Sequence, residues 1–105
     1  MKLMTKEIEA KMPPLYSNEN HSAKDTKVIA KFFHPFSSWT WYATEGNKEE
    51  DGTYLFFGYV RGMENELGYF TERELAGIRI CGLGIERDLY FGYEHTLAEV
   101  MKDGI

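Results

Sequence analysis

The sequence has little of what builds covalent cross-links or membrane spans. Cys81 is its single cysteine, so no disulfide can form within the chain. The opening segment MKLMTKEIEAKM lacks the apolar run of a signal peptide. Charges, glycines or prolines interrupt every apolar stretch well before the roughly 18 residues that cross a bilayer. We therefore expect a protein of a reducing compartment, the cytoplasm, with no membrane-spanning segment and no membrane partner.

The chain is short, but it has enough apolar residues to build a core. Its 105 residues suit one domain, since two cores of half that size would each be marginal. Hydrophobic residues make up 43% of the chain and aromatic residues 15%, whereas disordered chains are poor in aromatics. We expect a single ordered domain over residues 1–105.

The net charge of −5 is unevenly distributed. Residues 1–31 carry six Lys and four acidic residues, a balance of +2, and residues 32–105 carry six basic and thirteen acidic residues, a balance of −7. Such a balance disfavours direct binding to nucleic-acid backbones and favours basic protein partners. Such a charge also keeps many ordinary proteins soluble.

Three threonines mark the starts of short helices. Thr5 predicts a helix through about Met12 that Pro13 and Pro14 terminate, because proline donates no backbone hydrogen bond. The segments Thr71 to Glu74 and Thr96 to Glu99 each have the spacing of a capping box. We expect a short helix after each of them.

Runs of β-branched and aromatic residues predict four to five strands. We place strands at residues 27–33, 39–44, 53–61 and 67–70, with a last strand centred on residues 89–91. Residues 15–26 are interpreted as a polar connection. Residues 46–52, GNKEEDG, are interpreted as an exposed loop rather than as part of either adjacent strand. The pattern therefore predicts an α+β fold, a single domain with an antiparallel sheet of about four to five strands and two or three short helices.

The histidines and the cysteine do not form a recognisable site. His21, His34 and His95 lack the i, i+3 or i+4 spacing that places two metal ligands on one helix face. Folding can still bring His34 near His95 or near Cys81, where the thiol would be a candidate nucleophile. A lone cysteine is more often a small buried hydrophobic residue. We expect neither a metal nor a cofactor.

Two carboxylates are the main candidates for acid–base chemistry. Glu86 and Asp88 are expected on one face of the last strand, with Arg87 on the other, an arrangement that a small hydrolase would use. A solvent-exposed face with pairing to Arg79 or Arg73 is the favoured interpretation, because one strand does not set the separation across a cleft that paired-carboxylate catalysis requires.

The aromatic residues suggest either base stacking or a core. Sheet-surface RNA binders place Lys and Arg beside their aromatic side chains, whereas acidic residues surround those of this chain. We therefore assign most aromatic residues to the core. The candidate partner-binding residues are an aromatic group that would anchor an interface if its strand face is exposed and a group of loop acids: Trp39, Trp41 and Tyr42, with Glu49, Glu50, Asp51, Glu64 and Glu66.

Four segments carry a resemblance to a known family. KFFHPFSSWTWYATEG, EDGTYLFFGYV, ELGYFTEREL and IERDLYF together resemble small bacterial proteins of unknown function that occur on plasmids, conjugative elements and prophages. The resemblance extends from the first residues to about Phe91. It implies no catalytic residues, and it implies a place among conjugation and anti-defence genes, where some small proteins inhibit CRISPR nucleases.

These observations lead to one expected function and two alternatives. We expect a non-enzymatic anti-defence protein of a mobile element that binds the basic, nucleic-acid-contacting surface of a Cas9-type CRISPR nuclease. One alternative is a nucleic-acid-binding accessory protein for plasmid or conjugative transfer. The other is a small hydrolase that uses Glu86, Asp88, His34 or His95.

Overall fold

One five-stranded antiparallel sheet organises the protein, which is represented here by a computed structural model that describes residues 2–105. The strands lie in the order β4-β3-β2-β1-β5. The elements are α1 (Lys6–Lys11), a short 3-10 turn (Ala23–Asp25), β1 (Ala30–Phe33), β2 (Thr40–Lys48), β3 (Tyr54–Arg61), β4 (Asn65–Thr71), α2 (Glu72–Gly77), β5 (Glu86–Arg87) and α3 (Leu97–Asp103). The expected α+β class is confirmed.

A bulge in β2 sets which side chains share a face of the sheet. Ala43 pairs with Gly58 and Glu45 pairs with Phe57, so Thr44 is an extra residue between two consecutive pairs. A bulge of this kind moves the following side chains by one position relative to simple alternation. Glu45 consequently lies on the same face as Phe57.

The first face of the sheet carries the larger core. Trp41 and Phe56 point toward this face, and α1 and α2 cover it with Ile8 and Leu75. Phe56 is fully buried and packs against neighbouring rings at centroid distances of 5.3 to 5.7 Å. The core around it also includes Leu3, Met4, Met12, Ile29, Ala30, Phe32, Ala43, Tyr54, Phe70 and Ile85.

The second face is covered over only part of its width. On one side, helix α3 places Leu97 and Val100 against Tyr42 of β2 and Tyr59 of β3. We call this region the closed half; its buried cluster is Val28, Tyr42, Tyr59, Leu97 and Val100. Near β3 and β4, no described helix covers the same face, and Leu67 and Tyr69 are exposed. We call the region of Leu55, Phe57, Leu67 and Tyr69 the open half.

The expected helix starts are present, with one difference in detail. The Thr5 hydroxyl accepts from the Ile8 N–H at 3.2 Å, and Thr71 and Glu74 form the complete capping box. At α3 only the hydroxyl half is present, because the Glu99 carboxylate lies 3.0 Å from His95 Nδ1. No helix among residues 2–105 is long and apolar enough to cross a bilayer.

Several strand boundaries differ from those expected: β1 begins at Ala30 rather than at residue 27, and β4 covers Asn65–Thr71 rather than residues 67–70. The last strand is Glu86–Arg87 rather than residues 89–91, because Asp88 accepts from the Tyr90 N–H at 2.9 Å and starts a turn. The predicted loop at 46–52 was too long: β2 continues to Lys48, which pairs with Tyr54. Because this segment contains turn-forming residues, the pattern predicted a loop at residues 46–48, which belong to β2.

Candidate functional site

The aromatic side chains proposed to bind a partner do not form an exposed group. Tyr42 is 1% exposed in the closed half, and Trp41 is 7% exposed in the first core. The expectation that they contribute a surface is therefore corrected: both pack inside the molecule, one on each side of the sheet. A side chain buried to this degree does not reach a partner in the folded state.

Trp39 is the half-buried member of the group. Its ring stacks on Trp41 at a centroid distance of 5.7 Å, and together with Ile78 and Ile80 the two indoles line an apolar groove of about 200 Å³. A side chain at Gly62 would meet the Trp39 ring at 2.2 Å, so glycine is required for this packing. Trp39 therefore lies beside the β3–β4 turn.

The acidic loop between β2 and β3 forms a defined turn. The Glu49 N–H donates to the Thr53 carbonyl at 2.7 Å, and Gly52 adopts a positive φ of 85°. Asp51 Oδ1 accepts from both the backbone N–H and the hydroxyl of Thr53, and Oδ2 pairs with Arg73. These contacts, the Thr53 hydrogen bonds foremost, lower the pKa of Asp51 below its usual 3.8. Asp51 therefore holds the loop together.

Glu49 and Glu50 are the carboxylates that this turn presents to solvent. Both side chains are exposed, and neither makes a hydrogen bond or ion pair with a residue in the 2–105 range. We call Glu49 and Glu50 the acidic tip.

Glu64 and Glu66 lie at the other end of β3. Both are exposed. Seven residue steps separate Tyr54, beside the acidic tip, from Arg61, beside the β3–β4 turn, which corresponds to roughly 23 Å of extended strand. The fold therefore does not gather the five predicted acids into one surface.

His34 has a structural role. It is buried, its Nε2 lies 3.0 Å from the Leu83 carbonyl oxygen, and its Nδ1 accepts from the Phe36 N–H at 3.0 Å. A neutral ring with the proton on Nε2 satisfies both contacts. Because main-chain groups occupy both nitrogens, His34 holds the loop that carries Leu83 against the end of β1.

The remaining candidates for chemistry make contacts that differ from those of His34. His95 sits between Glu99, at 3.0 Å, and Glu94, at 3.3 Å. Asp88 pairs with Lys31 at 3.5 Å, rather than with Arg79 or Arg73 as expected. Cys81 is exposed in a tight turn, not buried as the favoured interpretation held. No group of three or more His, Cys, Asp or Glu side chains within residues 2–105 is arranged to hold a metal ion.

A cleft on the open half brings together residues that the sequence did not single out as a group. Tyr16, Glu19, Glu45, Phe57 and Tyr69 line a space of about 320 Å³. Phe57 and Tyr69 are direct partners across β3 and β4, and their rings meet edge to face at 5.1 Å. We call this the aromatic–acidic cleft.

Glu45 anchors one wall of the cleft. Glu45 is 5% exposed. Its two carboxylate oxygens accept from the backbone N–H groups of Tyr16, at 2.8 Å, and Asn18, at 2.9 Å. These bonds tie the connection after Pro14 to the sheet and position the Tyr16 ring over it. Tyr16 itself has a left-handed φ of 71°, a conformation that a bulky residue seldom adopts.

The surroundings of the cleft change the pKa of one of its tyrosines, Tyr69. A hydrogen bond with Tyr16 raises the pKa of Tyr69 above its usual 10.0, and partial burial and the negative charges of Glu45 and Glu19 act in the same direction. No Lys or Arg is among the residues that line the cleft. The cleft is consequently an electronegative, aromatic-walled site.

Comparison with known proteins places the chain in a family. A family model described as a protein of unknown function, DUF2958, matches residues 3–103. The chain belongs to the DUF2958 family. No curated protein and no solved structure matches it. The description of DUF2958 assigns no activity, so a functional interpretation depends on the surfaces described above.

The sequence held partial signals for the cleft. Glu45 is one of several acidic residues near the aromatic runs, and residues 15–26 were interpreted only as a polar connection. The bulge that turns Glu45 toward Phe57, and the fold of the connection that brings Tyr16 to Tyr69, both depend on pairings between distant segments. An apolar Tyr16 within a polar stretch was the one local sign.

Proposed function

We propose that this DUF2958 chain is a non-enzymatic anti-defence protein of a mobile element that inhibits a Cas9-type CRISPR nuclease in the bacterial cytoplasm. In this proposal the acidic tip occupies the basic surface through which the nuclease contacts nucleic acid. The observation that carries it is the pair of exposed carboxylates of Glu49 and Glu50, which have no counterion among residues 2–105. The resemblance of four segments to mobile-element proteins supports the choice of target.

Carboxylates at the tip of a hairpin suit such a role for a physical reason. Arginine side chains read the short flanking motif of the DNA target, and a positively charged channel holds the guide–target duplex. Carboxylates compete with phosphates for the same cations, and the competition weakens as salt screens it. Asp51 and Arg73 keep the tip in shape, since their ion pair fixes the loop to α2.

The nucleic-acid-binding alternative has weaker support. The exposed aromatic residues of the aromatic–acidic cleft, Tyr16 and Tyr69, have acidic neighbours rather than the cations that a backbone-tracking groove needs. Direct binding of single-stranded DNA would overturn the proposal in favour of this alternative.

The test compares two double charge reversals at opposite ends of β3. Glu49→Lys with Glu50→Lys changes the acidic tip, and Glu64→Lys with Glu66→Lys makes the same change of net charge at the far end. We expect the tip variant to bind a panel of purified Cas9-type nucleases about tenfold more weakly and to lose inhibition of DNA cleavage, because two charge-assisted contacts are reversed. The far-end variant should retain most of both.

Three results would contradict the proposal. If the wild-type protein binds none of the nucleases, the proposed target is wrong. Equal losses in the two variants mean that net charge alone acts, without a specific tip. Binding that is unchanged between 50 mM and 500 mM salt excludes the electrostatic mechanism.

A further inference from the structure

We propose that the aromatic–acidic cleft is a binding site for an arginine side chain of a protein partner. This inference goes beyond the proposed function, because it concerns a different surface from the acidic tip and holds whether or not the partner is a nuclease. Its basis is the combination of three aromatic rings, two carboxylates and an open volume in one place.

The aromatic walls suit a flat cation. The Phe57 and Tyr69 rings are inclined at 66° and Tyr16 also lines the cleft, so a guanidinium group can lie over one ring face while meeting the edge of another. Arginine stacks on aromatic faces and keeps its charge at every physiological pH. An ammonium group gains the cation–π attraction without the planar stacking.

The carboxylates provide the charge that a cation would balance. Glu45 is buried and accepts two main-chain hydrogen bonds, but it has no ion pair to a Lys or Arg among the described residues. Buried carboxylates are usually paired with a cation as well as hydrogen-bonded. Glu19 is exposed at the rim, where it adds a second acceptor. An arginine in the cleft would be the missing counterion of Glu45.

The volume and its surroundings favour a side chain presented by a protein. The space of about 320 Å³ is far larger than the roughly 30 Å³ share of one water molecule. Tyr69 belongs to β4, an edge strand of seven residues whose outer side pairs with no described strand. An extended partner segment can add to such an edge while placing one side chain in the adjacent pocket.

The direct test is a titration with a defined probe followed by NMR. The full chain is titrated at low salt with the capped peptide Gly-Gly-Arg-Gly-Gly and with the same peptide carrying citrulline, the neutral isostere of arginine, or lysine. We expect saturable shifts of the amides of Tyr16, Asn18 and Tyr69 with the arginine peptide. The lysine peptide should bind about fivefold more weakly, and the citrulline peptide should give no saturable shift.

Matched substitutions locate the site. Tyr69→Leu removes one wall and Glu19→Gln removes one charge, and each should weaken binding of the arginine peptide about fivefold. The controls are Leu67→Ala, two residues away on the same exposed face, and Glu64→Gln, an exposed acid outside the cleft; both should bind as the wild type does.

Three outcomes would overturn the inference. They are the absence of saturable shifts, equal binding of the citrulline or lysine peptide, and an equal effect of the two control substitutions. The titration contains no nuclease, so its failure is separate from failure of the proposed inhibition.

Discussion

The closed and open halves of the second sheet face have similar residues and opposite environments. Tyr42 and Tyr59 in the closed half lie under α3, whereas Phe57 and Tyr69 in the open half contact the connection at Tyr16 and otherwise face solvent. The difference arises from where α3 packs, since its Leu97 and Val100 cluster with Tyr42 of β2 and Tyr59 of β3. Aromatic residues at equivalent sheet positions can therefore be core in one half and surface in the other.

The halves also differ in the polar groups near the rings. In the closed half, the Tyr42 hydroxyl donates to the Ile105 carbonyl oxygen at 2.8 Å and thereby fixes the segment after α3. In the open half, the nearby polar groups are the carboxylates of Glu19 and Glu45. The first arrangement stabilises the fold, and the second leaves an electronegative surface.

Two leucines provide the largest expected contrast. Leu97→Ala in the closed half should lower the free energy of unfolding by about 2 to 5 kcal/mol, because it leaves a cavity beneath α3. Leu67→Ala in the open half should cost less than about 1 kcal/mol, since that side chain is 47% exposed. Urea denaturation of both variants measures the difference. Equal losses would mean that the open half is covered in solution.

Two tyrosine hydroxyls give a smaller contrast. Tyr42→Phe removes a partly buried hydrogen bond and should cost about 1 kcal/mol of unfolding free energy. Tyr69→Phe should change it by less than about 0.5 kcal/mol, because the hydroxyl is at the surface. Denaturation at pH 7 tests both, and a larger cost at Tyr69 would reverse the assignment of the two halves.

The smallest expected contrast concerns the pKa values of Tyr42 and Tyr69, which are raised for different reasons. Burial raises the pKa of Tyr42, and the hydrogen bond with Tyr16 is the main cause that raises the pKa of Tyr69. Tyr16→Phe should therefore lower the pKa of Tyr69 toward 10.0 and leave that of Tyr42 unchanged. NMR titration of the ring carbons reports each residue separately. A shift at both positions would show that Tyr16 acts through the whole fold.

The raised pKa values of these tyrosines determine whether stability rises or falls with pH. A phenol with a folded-state pKa above its unfolded value contributes stability below the unfolded pKa, near 10.0, and loses it as the pH rises through the folded value. Wild-type stability should therefore fall above about pH 10. The fall should be smaller in Tyr42→Phe. An unchanged slope in that variant would show that Tyr42 titrates alike in both states.

Local patterns predicted most of the fold. The threonine caps set the starts of α1, α2 and α3, and the aromatic run at Tyr54 to Val60 identified β3. The errors occurred where a side chain redirects the backbone, as Asp88 does when it accepts from Tyr90 N–H and replaces the expected strand with a turn. They also occurred where pairing extends a strand through turn-forming residues, as at Gly46 and Asn47.

The candidate site was less predictable than the fold. The exposure of Glu49 and Glu50 follows from their place in a turn, and the sequence was sufficient for it. The burial of Trp41 and Tyr42 on opposite faces required knowing that helices cover both sides of β2. The cleft required the bulge at Thr44 and the long-range bond from Glu45 to Tyr16, which no local pattern encodes.

The most direct test of the account is a hydrogen-exchange footprint of the chain bound to a purified Cas9-type nuclease. The account predicts slower exchange on binding at the acidic tip, where the chain would contact the nuclease. It predicts no change in α3, which covers the closed half. Protection confined to α3, or no change on mixing with the nuclease, would contradict it.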